Sequence, residues 1–162
     1  MILRAIVFFA ILIFAVALKW WDWNPNAQAS WNLAIAVAVE QAVHLLGSPL
    51  VRTGSQLIDP ISNRSIVVIG ECNGFEASMI LMTGIIVYPS CLKARVLGVV
   101  AGFISVQLVN IIRILSLFFL KAWDENVFEF AHLYIFSGII MLHVVLFLFL
   151  WLQWQRVQCK PS

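Results

Sequence analysis

Three side chains able to break and remake an acyl bond sit within or beside apolar runs of this sequence. They are the thiol of Cys72, the guanidinium of Arg113 and the imidazole of His132. A thiol of ordinary pKa, about 8.5, becomes an effective nucleophile when a nearby cation or a helix N-terminus favours thiolate. Cys72 stands directly ahead of an apolar helical run, where unpaired backbone N–H groups favour negative charge. An imidazole takes a proton and returns it during acyl transfer. A guanidinium held where water is scarce stabilises a thiolate or a developing oxyanion, by on the order of 3 kcal/mol. Three further polar residues flank this trio: Asn73 follows the cysteine, Glu76 lies one helical turn beyond it on the same face, and Asn110 precedes Arg113 by one turn.

The elements that must position these groups are membrane helices. The 162-residue chain is 62% hydrophobic and 11% charged, with mean hydropathy +0.97, far above the roughly half-apolar usage of soluble domains. A formal net charge of +2 without a basic run gives nucleic acid nothing to bind, so the bilayer is the expected partner. A spanning helix needs about 20 apolar residues. Residues 2–18, 73–88, 96–120 and 133–152 supply four candidate spans in one membrane domain covering the whole chain. Trp31–Leu46 is apolar and helical in pattern, but Glu40, Gln41 and His44 gather on one face. An acid at the bilayer centre is costly, so this segment is expected to lie in the interface or to pack over the other helices. Trp20, Trp21, Trp23 and Trp31 around it suit a headgroup-level aromatic belt. The expectation is an all-α polytopic membrane protein with about four spans, an external interfacial helix and a short β-hairpin.

Four spans with a cytoplasmic N-terminus place the basic Cys91–Arg95 loop, Arg156 and Lys160 inside, and the acidic Trp123–Phe130 loop outside. The segment 20–71 is then external. Its turn signals at Arg52–Ser55, Asp59-Pro60 and Ser62–Arg64 precede a β-type run, Ser65–Ile69, and a small hairpin leading into Glu71-Cys72 is expected. Ala27-Gln28-Ala29 fits a signal-peptidase pattern, but the Trp-rich stretch before it favours a retained first span. In this topology Cys72, Arg113 and His132 reach the outer third of the membrane from three separate helices. Arg113, eight residues before Lys121, lies about 12 Å below that end at 1.5 Å per residue.

Glu71-Cys72-Asn73-Gly74 at a helix start, Val109-Asn110-Ile111-Ile112-Arg113 in the next apolar helix and His132 opening the last one resemble the exosortase/archaeosortase family. The resemblance runs from about Glu71 to Leu150, and the short chain suggests a compact member, similar to exosortase H. Around the histidine, His132-Leu133-Tyr134-Ile135-Phe136-Ser137-Gly138 departs from the shorter His-to-Ser-Gly spacing of some members. The resemblance implies a cysteine transpeptidase or protease in a bacterial or archaeal plasma membrane, with its site facing the periplasm or exterior. Its substrates would be membrane-anchored proteins ending in a motif, a transmembrane helix and a basic tail. It also implies transfer of the new C-terminus to an acceptor.

Blander roles compete for the same residues. An Arg within a span normally has a partner, and Glu76 is the nearest candidate, so Arg113–Glu76 would suit a non-enzymatic assembly or transport subunit equally well. His143, eleven residues after His132, lies about 16 Å deeper and is expected to pack in the interior. Gly98, Gly102 and Ser105 form a small-residue stripe expected to pack helices. Cys91 and Cys159 fall on the cytoplasmic side and are expected to be unreactive. With Cys72 the only external thiol, a disulfide-exchanging oxidoreductase is disfavoured. The histidines lack metal-ligand spacing, and no cofactor or metal is expected.

Overall fold

The computed structural model describes residues 25–61, 64–68 and 73–159; the expected first span at 2–18, Glu71 and Cys72 lie outside them. The chain divides into two compact units, one of Asn24–Gly74 with Leu108–Ile139, the other of Met1–Trp23, Phe75–Gln107 and Ile140–Ser162.

The first helix of the first unit, α1 (Pro25–Leu45), opens on a proline, which is suited to a helix start because it lacks only an N–H that would have no partner there. Its buried residues Ile35, Ala36, Val39 and Val43 recur at helical spacing along one face. That face joins Leu50, Leu57, Val68, Ile114 and Phe118 in one core, with Trp31, Ile66, Ile111 and Leu115 packed around it. Of the two expectations for this segment, lying in the interface or packing over other helices, the structure shows packing: it is a core element of this unit. Its acid is met by Arg52, whose Nε donates to Glu40 Oε2 at 2.6 Å.

Three antiparallel strands follow: β1 (Val51–Thr53), β2 (Gln56–Asp59) and β3 (Arg64–Val67), in the order β1-β2-β3. The expected hairpin is thus a three-stranded sheet, because Arg52 and Thr53, which open a turn signal in the sequence, belong to β1. The turn itself is only Gly54-Ser55, with Gly54 at φ 61°, as the primed two-residue turns require at their first position. Leu57 of β2 is fully buried and pairs with Ile66, so one sheet face covers the α1 stripe.

The long helices are α3 (Leu92–Trp123) and the continuous helical run α4 (Glu125–Phe130), a π-helical turn (Ala131–Ile135) and α5 (Phe136–Gln158). Leu92–Lys121 and Val127–Gln158 are long and apolar enough to cross a membrane. The helix between sheet and α3, α2 (Phe75–Val87), has thirteen residues, about 20 Å against the roughly 30 Å of a hydrocarbon core. Two of the four expected spans are therefore shown as full-length apolar helices. The acidic stretch expected as a loop is helical from Glu125 because Asp124 Oδ1 accepts the Val127 N–H at 3.1 Å, a helix cap. The basic stretch expected as a loop is likewise the start of α3, with Arg95 Nη2 donating to the carbonyls of Tyr88 and Ser90.

In the second unit the small-residue stripe packs helices, as expected. Trp151 lies so close over Gly98 that no side chain fits there, and its indole N–H donates to the Ala94 carbonyl at 3.0 Å. A Cβ at Gly102 would meet Leu81 Cδ2 at 2.9 Å and Phe147 Cε1 at 3.1 Å. Ser105 Oγ lies 2.8 Å from His143 Nε2, and Gln107 donates to Ser78 at 2.9 Å, so polar groups of this unit satisfy one another. Cys91 and Cys159, expected as separate inert thiols, are joined in a disulfide across 68 residues with Cα atoms 5.6 Å apart. The end of α5 returns beside the start of α3, a proximity that no local spacing signals.

Candidate active site

The first unit holds the described candidate groups apart from Glu76, which opens α2 in the other unit with an exposed side chain. Cys72 lies outside the described residues, but the two residues after it are fixed in detail. The side chain of Asn73, 3% exposed, donates from Nδ2 to Asn32 Oδ1 at 2.9 Å, and its carbonyl accepts the Trp31 indole N–H at 3.2 Å. Gly74 adopts φ 70°, and a Cβ there would lie 3.1 Å from Asn110 Cγ. Glycine is required twice over, by the left-handed backbone and by the close approach. The chain following Cys72 is thus clamped between α1 and Asn110 of α3.

Asn110 is fully buried, and Arg113, one turn further along α3, is 7% exposed. Its Nη2 reaches the carbonyl of His132 at 3.4 Å, while its Nε is buried with no hydrogen-bond partner among the described residues. A guanidinium carries five N–H donors. One held in apolar surroundings with a donor to spare is equipped to bind an oxyanion or carbonyl oxygen.

His132 lies within the π-helical turn, a local widening of a helix frequent at functional sites. The Phe136 N–H donates five residues back, to the Ala131 carbonyl. The His132 carbonyl takes the Ser137 hydroxyl at 3.2 Å as well as the Arg113 guanidinium. Phe128 stacks on the His132 ring, with centroids 5.8 Å apart and planes 5° from parallel, and Lys121 Nζ stands 5.1 Å from the Phe128 centroid.

Of the sequence candidates, Asn73, Asn110, Arg113 and His132 fall in one unit, linked in two pairs: the Asn73-Gly74 segment with Asn110, and Arg113 with the His132 main chain. Asn32 and Phe128 are not among the residues singled out by the sequence, which marks Trp31 only as part of an aromatic belt. Asn32 carried a signal, since it continues the 35/36, 39, 43 stripe of α1 as a polar residue on an apolar face.

A helical chain with two membrane-length apolar helices and a buried, partly unsatisfied guanidinium defines a membrane protein with a polar site inside an apolar domain. The family model for transmembrane exosortases (Exosortase_EpsH) matches residues 1–151. The chain belongs to the transmembrane exosortase family. No curated protein and no solved structure matches it.

Proposed function

We propose that the chain is a membrane cysteine transpeptidase or protease that processes the C-terminal sorting signal of exported, membrane-anchored proteins at the outer face of a bacterial or archaeal plasma membrane. One observation carries this reading: Gly74, two residues after Cys72, packs on Asn110, one helical turn from an Arg113 whose Nε has no hydrogen-bond partner among the described residues. Family membership supplies the reaction class.

The Cys72 thiolate attacks the scissile carbonyl, forming a C–S bond and an oxyanion that the Arg113 guanidinium stabilises. Collapse breaks the C–N bond, and the leaving amine takes a proton from His132. An acceptor amine or water, giving its proton to His132, then attacks the thioester and releases Cys72 as thiolate. Asn73 and Asn110 hold the two sides of this arrangement.

The test measures cleavage of a reporter ending in a motif, an apolar helix and a basic tail, alongside membrane abundance. Cys72→Ala is expected to abolish cleavage at unchanged abundance, with His132→Ala lowering it by a factor of about 100 or more. Wild-type cleavage by Cys72→Ala would falsify the reading and leave the chain as an assembly or transport subunit.

A further inference from the structure

The sheet ends at β3, and the backbone of β3 is half used. Val68 N–H donates to the Ser55 carbonyl at 2.9 Å, and the register continues as Gln56↔Val67, Leu57↔Ile66, Ile58↔Ser65 and Asp59↔Arg64. Hydrogen-bonded pairs alternate along an antiparallel ladder. Residues 64, 66 and 68 therefore spend their N–H and C=O groups on β2. Ser65 and Val67 direct theirs to the opposite edge, where no other strand lies among the described residues. Alternation also sorts the side chains. Ile66 and Val68 pack in the core, which anchors the strand, while Val67 is 46% exposed.

An open strand edge is a template for an extended peptide: main-chain hydrogen bonds supply affinity, and alternate side chains supply selectivity. The position of this edge favours one occupant. Val67 precedes Cys72 by five residues, a reach of at most about 17 Å along the chain. On the far side of the cysteine, Asn73 and Gly74 are fixed to α1 and Asn110. A peptide paired with β3 would lie about 4.8 Å from the strand whose chain reaches the nucleophile five residues after Val67.

We propose that β3 is the substrate-docking strand: the extended segment of the substrate beside its scissile bond adds to the sheet as a fourth strand, bonding to the outward N–H and C=O groups of Ser65 and Val67. This deepens the reading of Cys72 as nucleophile and rests on it.

Proline removes a backbone donor, and at an outward position it leaves the β2–β3 ladder intact. The experiment uses the full chain in proteoliposomes with a reporter that the unaltered chain cleaves. Val67→Pro and Ser65→Pro are expected to raise KM at least tenfold. Alkylation of Cys72 by a small maleimide is expected to be unchanged in both. Unchanged KM in Val67→Pro would overturn the proposal, and a change in self-association alone would assign the edge to a second copy of the chain instead. If the proline variants fail to fold, semisynthetic reporters with single backbone N-methyl groups replace them. Losses at every second position support the docking strand, and uniform or absent losses overturn it. Cleavage surviving Cys72→Ala would instead sink the nucleophile assignment, a separate outcome.

Discussion

An arginine inside a membrane helix costs about 2.5–3.5 kcal/mol on insertion scales, and Arg113 meets that cost while leaving its Nε without a hydrogen-bond partner among the described residues. A purely structural arginine is expected to spend its donors on fixed partners. The sequence offers Glu76 as such a partner, and the two roles make opposite predictions. In a structural pair, losing one member strands a charge at a cost of about 3–5 kcal/mol, and neutralising both restores folding and function together. In the catalytic role the guanidinium is needed for its charge. Glu76→Gln/Arg113→Gln is therefore expected to reach wild-type membrane abundance yet cleave no reporter, with Arg113→Lys only partly active because an ammonium lacks the planar fork. Abundance by immunoblot and reporter cleavage, measured on both single variants and the double, decide the matter. Full activity in the double variant returns Arg113 to packing.

Helix α1 is the element whose role changes most on folding. Its apolar stripe covers the sheet, and its N-terminal half reaches over to Asn73 through the Trp31 indole and the Asn32 amide. A buried hydrogen bond contributes about 0.5–1.5 kcal/mol net, so losing one is survivable for the fold but lets the residue beside the nucleophile move. Trp31→Phe and Asn32→Leu are expected to lower kcat about tenfold with KM unchanged, and Asn32→Asp, which keeps an acceptor, to recover most of it. Steady-state cleavage kinetics read this directly. A change in KM alone would place α1 in substrate binding instead. At the other edge of the site, the π-helical turn leaves the His132 carbonyl open to Arg113 and Ser137 while Phe128 stacks on its ring. That turn couples α5 to α3 through the main chain.

For the whole molecule, topology and thiol chemistry constrain each other. Lys93 and Arg95 at the start of α3 and Arg156 near the end of α5 lie at the ends that carry the Cys91–Cys159 disulfide, and the positive-inside rule sets the expectation that these ends are cytoplasmic. Disulfides are rare where glutathione and thioredoxin keep thiols reduced. Labelling of intact cells with a membrane-impermeant maleimide, followed by peptide mass spectrometry, separates the cases. Cys72 is expected to react from outside without reductant, whereas Cys91 and Cys159 are expected to react only after both permeabilisation and reduction. Labelling of Cys91 in intact cells after an impermeant reductant would invert the topology and move Cys72 to the cytoplasmic side.

The sequence by itself determined the solvent and the long helices. Apolar runs of the length of 96–120 and 133–152 have one stable resolution, a helix whose backbone groups satisfy one another internally; the first matches Leu92–Lys121 closely, while the second falls short of Val127–Gln158 at both ends. It also marked Arg113, because a charge inside such a run is costly wherever the run sits. The stretches it misread, Trp123–Phe130 and Cys91–Arg95 as loops, are places where a polar side chain, Asp124 or Arg95, caps or anchors a helix end and so carries the same composition as a turn. Tertiary structure alone decided which groups meet. The Trp31 and Asn32 contacts to Asn73 join residues about forty positions apart, Gly74 meets Asn110 across thirty-six, and Cys91 meets Cys159 across 68. No periodicity records such contacts, because they depend on how separate helices and strands pack rather than on the conformation of any one of them.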